Sequence, residues 1–223
     1  MSRLIVVSNR VQPPGDGGEG AVGGLAMALA AALREHSGVW FGWSGQTVDE
    51  YSGQIAVQKV GGVTVATVDL EEQDRQEYYN GYANRTLWPL FHYRVDLSAY
   101  ERSFSEGYGR VNARFADALT PLIGPDDLIW IHDYHLIPLA QELRRRGVRN
   151  RIGFFLHIPW PARRLLLTLP DHEALVEALF AYDLLGFQTE DSASAFRDYV
   201  ISEAGGRVDD QGVAHAFGRS ARV

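Results

Sequence analysis

The chain has 223 residues, 46% of them hydrophobic, which is enough for one large globular domain or two small ones. A formal charge of −7 argues against nucleic acid or an anionic membrane as the main partner, since both need a basic face. The absence of cysteine excludes disulfides and thiol nucleophiles, and with no signal pattern and no apolar run of membrane-spanning length the expectation is a soluble, cytoplasmic protein.

Leu4–Val7 reads as a short buried strand ending in Ser8-Asn9-Arg10. A loop rich in Pro, Gly and acidic residues follows, and Gly23-Gly24 opens a helix on which Leu25, Leu29 and Leu33 recur at helical spacing. Glycines at a helix start let an oxyanion reach bare backbone N–H groups at the positive end of the dipole. The spacing matches neither GxGxxG nor a Walker loop, so a structural turn and a phosphate cradle are both open on the motif alone. Lys59 is the single lysine among 21 basic residues, so recognition of an anion would fall to the bidentate arginine fork.

Val39–Gly45 predicts a second strand whose two tryptophans belong to the core. Gln54–Val60 and Val63–Leu70, split by Gly61-Gly62, predict a hairpin. From Glu71 the sequence turns into an amphipathic helix leading to an aromatic-rich turn around Trp88-Pro89. Aromatics beside Asn and Arg suit a sugar, although on the sequence alone a satellite core cluster under a loop explains them better. Ser98 to about Leu122 carries apolar residues at three- and four-residue steps and predicts a long helix packed on the sheet.

Residues Asp126 to Pro161 hold the densest set of chemistry-bearing side chains. Two apolar runs, Leu128–Ile131 and Ile152–Leu156, each end in a histidine and flank a helical segment with the basic tail Arg144–Arg146. This β-α-β unit implies parallel strands whose carboxyl ends lie side by side. His132, Asp133, His135 and His157 then converge on one rim, where open α/β sheets bind ligands. Neighbouring residues on an extended strand face opposite ways, so the set does not focus on a metal ion. Beyond it, Arg163-Arg164 read as a solvated helix face, Asp171 as the N-cap of a helix to about Ala181, and Leu184–Phe187 as a further buried strand. Thr189 caps another helix, and a turn at Asp209–Gly212 separates two short strands. No internal repeat and no interdomain linker is seen.

Ser8-Asn9-Arg10, Gly23-Gly24, Glu77–Asn80, Leu87-Trp88-Pro89, Trp130–His135, His157-Ile158-Pro159 and Leu185–Thr189 occur in one fixed order. Together they closely resemble the amino-terminal half of the trehalose-6-phosphate synthase family, retaining glycosyltransferases that join glucose from UDP-glucose to glucose 6-phosphate. The resemblance runs from about residue 3 to the last residue. It implies an α/β fold, a Rossmann-like parallel sheet with helices on both faces, corresponding to the N-terminal domain of a GT-B glycosyltransferase. By the same resemblance, residues 1–223 are the acceptor-side domain and the nucleotide-sugar domain is absent from them.

The resemblance also distributes roles. Arg10 and Tyr79 would hold the phosphate of glucose 6-phosphate, Trp88 would stack beside the acceptor glucose, and Asp133 would accept hydrogen bonds from its hydroxyls. Gly23 and Gly24 would meet the donor diphosphate and His157 the donor glucose, while Trp88 and Ile158 would select the anomer. His157 and Asp133 are thus the expected catalytic pair. No protein nucleophile, metal or cofactor is called for, and catalysis would consist of positioning and electrostatic stabilisation of the leaving diphosphate. Trp160 stands where the family often has phenylalanine. With half of the cleft, the chain alone is expected to have little or no synthase activity and to self-associate weakly through exposed apolar surface. A non-catalytic module that binds sugar phosphate or a partner chain, and a related pseudoglycoside synthase, are the alternatives.

Overall fold

The computed structural model describes residues 3–11, 33, 38–60 and 62–223. The helix expected from Gly24, and with it Gly23, Gly24, Leu25 and Leu29, lies outside the described residues.

Ten strands form one sheet in the order β3-β4-β2-β1-β5-β6-β7-β10-β9-β8. They are β1 (Leu4–Arg10), β2 (Val39–Val48), β3 (Ala56–Val60), β4 (Val63–Glu71), β5 (Leu128–His132), β6 (Ile152–Leu156), β7 (Leu184–Phe187), β8 (Arg207–Val208), β9 (Val213–Ala216) and β10 (Arg219–Arg222). The centre, from β4 through β10, is parallel, and β3 at one margin and β8–β9 at the other are antiparallel. The expected α/β architecture is therefore present. The hairpin starts at Ala56 rather than Gln54, and Gly62 turns it at φ 86°, a conformation that costs glycine nothing.

Alternation along the central strands decides which residues make the core. Ile152, Phe154 and Leu156 of β6 point into the main core and are at most 2% exposed. Ile129 and Ile131 of β5 and Ile5 and Val7 of β1 do the same in register. The described helices all join this core: α1 (Glu72–Asp74, Arg75–Leu87 and Trp88–Phe91 in one run), α2 (Arg102–Leu119), α3 (Leu139–Arg145), α4 (Arg163–Leu166), α5 (His172–Leu179) and α6 (Glu190–Ser202). The opposite set, Val6, Trp40, Val63 and Val65, gathers around Leu33 in a second, smaller cluster. Further along that set, Leu128, Trp130, Phe155 and Leu184 line an apolar groove of about 600 Å³.

Three local expectations change. Trp88-Pro89 is no turn: the helix continues through it to Phe91, and the chain leaves only at Tyr93, whose φ is 63°. The continuation works because residues 75–87 are wound in π fashion. The Trp88 N–H already reaches back five residues to Ala83, so the backbone pattern is widened before Pro89 withholds its donor. Asp171 occupies the N-cap position of α5, but its carboxylate makes no cap. It accepts instead from Tyr82 Oη and Ser105 Oγ, each at 2.7 Å, tying α1 and α2 to α5. Arg164 is solvated as expected, whereas Arg163 pairs with Asp198 and Glu203 of the α6 end.

The seam between α1 and α2 is polar at its base. Asp74 is wholly buried and accepts from Arg110 Nε at 2.8 Å and from Arg114, while Arg110 also reaches Glu77 at 2.7 Å. A carboxylate without solvent needs such partners, and here they fix the helix that carries Tyr78 and Tyr79.

Candidate active site

The carboxyl ends of β1, β5 and β6 meet at one rim, as parallel pairing requires. β5 ends in His132 and the chain then bends sharply at Asp133, which takes φ 75° and ψ 164°. An L-residue adopts that backbone only when its surroundings hold it. The Asp133 N–H donates to Phe155 O at 2.8 Å, and its Oδ1 accepts from the N–H of Tyr134 at 3.1 Å and of His157 at 3.3 Å. The carboxylate is thus clamped between two strand ends. Burial raises its pKa above the ordinary carboxylate value, against the opposing pull of the Tyr134 N–H, His157 and His92.

His157 stands directly beside it. Burial lowers its pKa, with the Asp133 charge acting in the other direction. Its Nε2 lies 2.9 Å from Nδ1 of His132, which is 1% exposed and held down to about 3, first by burial and then by His157. His132, Asp133 and His157 therefore converge as the β-α-β reading expects. His135 does not join them: it turns into the core, 8% exposed, stacks on Tyr79 at 5.8 Å and 15°, and is kept neutral by burial with a pKa of about 3.

A second group of residues lies on the β1 side. The register of β1 against β2 shifts between Val7 and Arg10, and this irregularity sets Arg10 opposite Trp43. The Arg10 guanidinium lies over the Trp43 ring at 5.9 Å, and the same ring meets Tyr79 edge-on at 5.6 Å. Arg10 and Tyr79, far apart in sequence, are thus linked through one indole. Gly45, at φ 91°, leaves room for the Arg10 guanidinium: a Cβ there would stand 2.5 Å from Arg10 Nε. No carboxylate among the described residues pairs with Arg10, which is exposed and can bind an anion.

Trp88 marks the third side. It is 43% exposed, and His92 packs on it with ring centroids 4.1 Å apart, its Nδ1–H donating to Trp88 O at 2.7 Å. Ile158, next to His157, is partly buried against the core. Gly23 and Gly24 lie outside the described residues. Among those described, no three His, Asp or Glu side chains are grouped to hold a metal ion, and no helix is long and apolar enough to cross a membrane.

Sequence reasoning missed three contributors. Trp43 is core, as expected, yet its ring also seats Arg10. Gly45 and His92 carried no pattern that marked them. The register shift that recruits Trp43 and Gly45 depends on strand pairing, for which spacing along the chain holds no signal.

A rim that carries an exposed arginine, unpaired among the described residues, and a clamped carboxylate can hold an anionic sugar-sized ligand. Comparison with known proteins agrees with that chemistry. The model of glycosyltransferase family 20 matches residues 9–221. The chain belongs to this family.

Relatives within family 20 include the trehalose-6-phosphate synthase of Enterobacter sp. (strain 638), 54% identical over 205 residues that make up 91% of this chain and 42% of that protein. Among solved structures, an alpha,alpha-trehalose-phosphate synthase (UDP-forming) from Burkholderia xenovorans in complex with glucose-6-phosphate is 54% identical. It matches with a TM-score of 0.92 over 99% of this chain and 48% of its own. Trehalose-6-phosphate synthase from E. coli bound with UDP-2-fluoro glucose is 48% identical, with a TM-score of 0.91 over 99% of this chain and 47% of its own. The chain spans less than half the length of these relatives. The α/β fold expected for the amino-terminal part of a GT-B glycosyltransferase is the fold it has.

Proposed function

We propose that these residues form the acceptor-side domain of an α,α-trehalose-phosphate synthase (UDP-forming), which transfers glucose from UDP-glucose to glucose 6-phosphate with retention. The observation that carries this reading is the union of Arg10 and Tyr79 through Trp43, on the same rim as Asp133 and His157. It is supported by family relatives whose structures contain glucose-6-phosphate and UDP-2-fluoro glucose.

In this reading Arg10 and Tyr79 take the acceptor phosphate. The guanidinium contributes charge-assisted hydrogen bonds to it, and its place over Trp43 beside Gly45 limits the entropy lost on binding. Trp88 offers an apolar face to the acceptor ring and, with Ile158, shapes the pocket for one anomer. Asp133 accepts hydrogen bonds from sugar hydroxyls, and the clamp on Oδ1 leaves Oδ2 for that task. His157 contacts the donor glucose, and Gly23 and Gly24 approach the donor diphosphate. Rate enhancement comes from holding acceptor hydroxyl and donor carbon in line of reaction and from stabilising charge on the leaving diphosphate.

The nucleotide itself is assigned to a second domain that these 223 residues do not include, so the chain alone is expected to be inactive or nearly so. Weak self-association belongs to the same reading, through apolar surface such as the groove edged by Leu128 and Leu184, 47% and 51% exposed.

Ligand-observed NMR tests the acceptor site. Glucose 6-phosphate is expected to bind with a Kd on the order of millimolar, glucose more weakly, and Arg10→Ala to abolish the difference between them. Equal binding of glucose and glucose 6-phosphate by the folded chain would remove Arg10 from the phosphate site. Trehalose 6-phosphate formed by the purified chain would overturn the division of labour between domains.

A further inference from the structure

His132 ends β5 and His157 follows the last residue of the adjacent parallel β6, and their rings lie 26° from parallel with centroids 5.2 Å apart. Nδ1 of His132 and Nε2 of His157 are separated by 2.9 Å, a hydrogen-bond distance. Two bare nitrogens would repel there, and so would two N–H groups, so a single proton lies between them. Both rings are neutral, because burial disfavours the charged form of each. A neutral imidazole carries one proton. The two rings are therefore coupled: either both are protonated on Nδ1, or both on Nε2.

The far side of His132 breaks the tie. Its Nε2 is buried and has no hydrogen-bond partner among the described residues. An orphaned N–H in such a place is rarer than an orphaned acceptor, so the proton belongs on Nδ1. His157 must then accept at Nε2 and carry its own proton on Nδ1. That nitrogen has no partner among the described residues, and the residue is half-buried at the rim.

We propose that His132 is a positioning residue: by donating Nδ1–H to His157 Nε2, it holds His157 in the tautomer that presents an N–H donor at Nδ1 to the open rim. Such a donor recognises a hydroxyl or phosphate oxygen and cannot serve as a general base from that atom. That the oxygen belongs to the donor sugar rests on the transferase reading above, whereas the tautomer does not. His132 thus acts through His157 without touching a ligand itself.

Long-range proton–nitrogen correlation NMR of the 223-residue chain, labelled with 15N-histidine at neutral pH, reads the tautomer directly. In the wild type, His157 is expected to show a protonated Nδ1 and a bare Nε2. His132→Phe keeps a ring but removes the donor, and His157 is expected to spread over both tautomers. His132→Asn brings an amide N–H to the place of Nδ1 and is expected to restore the wild-type pattern. His157 protonated on Nε2 in the wild type overturns the proposal, as does a His157 signature unchanged in His132→Phe. Should His132→Phe fail to fold, the wild-type spectrum and that of folded His132→Asn decide alone, loss of the Nδ1 proton in either being the refuting result. Failure of glucose 6-phosphate to bind would count against the transferase reading and leave these spectra unaffected, so the two failures are distinguishable.

Discussion

The behaviour of His135 in acid gives the most quantitative test of the structure. The ring is 8% exposed, lies 5.8 Å from Tyr79 and 4.0 Å from Tyr134 by centroid, and finds no hydrogen-bond partner for either nitrogen among the described residues. Burial lowers its pKa to about 3. In the unfolded chain the same histidine titrates near ~6.5. Between these values the unfolded state binds a proton that the folded state refuses. The stabilisation is therefore complete above the unfolded pKa and is lost as pH falls. From pH 7 to pH 5 the loss is about 2 kcal/mol for this one residue by proton linkage, and it hardly depends on the folded value while that lies well below 5. His135→Phe keeps an aromatic ring beside Tyr79 and removes the titration. Urea unfolding of wild type and variant at both pH values measures the difference. The variant is expected to gain about 2 kcal/mol on the wild type between pH 7 and pH 5, whatever constant cost its shape imposes. Parallel stability curves would refute the claim that His135 is buried and neutral. His132, also held at about 3, should add a comparable acid sensitivity to both proteins.

Asp133 at φ 75° supplies a comparison between two variants that lose the same carboxylate: Asp133→Gly should be more stable than Asp133→Ala by about 1 kcal/mol in urea unfolding, because only alanine keeps the strained backbone. Equal stabilities would mean the bend carries no strain. Gly45→Ala should push Arg10 off Trp43 and weaken glucose 6-phosphate binding roughly tenfold, the scale of a lost charge-assisted hydrogen bond; titration by NMR checks it, and unchanged affinity would contradict it. Asp74→Ala leaves Arg110 and Arg114 facing each other without their shared buried carboxylate and should cost about 3 kcal/mol, read as a lower urea midpoint.

Much of the architecture is legible from spacing. The two histidine-tipped apolar runs and the helix between them predict parallel β5 and β6, and the structure pairs Ile129 with Ile152 through His132 with Phe155. The cap at Thr189 is legible as well, since its side chain accepts from Ser192 N only three residues on, at 3.2 Å. Asp171 shows where such reasoning stops. It stands at a helix start and looks like a cap, but Tyr82 and Ser105 arrive from other elements and take its oxygens.

What the sequence determined by itself is therefore the run of strands and helices, the rim on which the chemistry-bearing residues stand, and, through the ordered motifs, the family. Tertiary structure alone decided their partners. Arg10 meets Trp43 because β1 slips in register between Val7 and Arg10, and His132 meets His157 because β5 and β6 are adjacent and parallel in a register that pairs His132 with Phe155. The physical reason is one of range. Hydrophobic period and capping act over a few residues and leave their mark in the chain. A hydrogen bond 25 residues away, or a cation seated on a ring from another strand, depends on register and packing that no local pattern records.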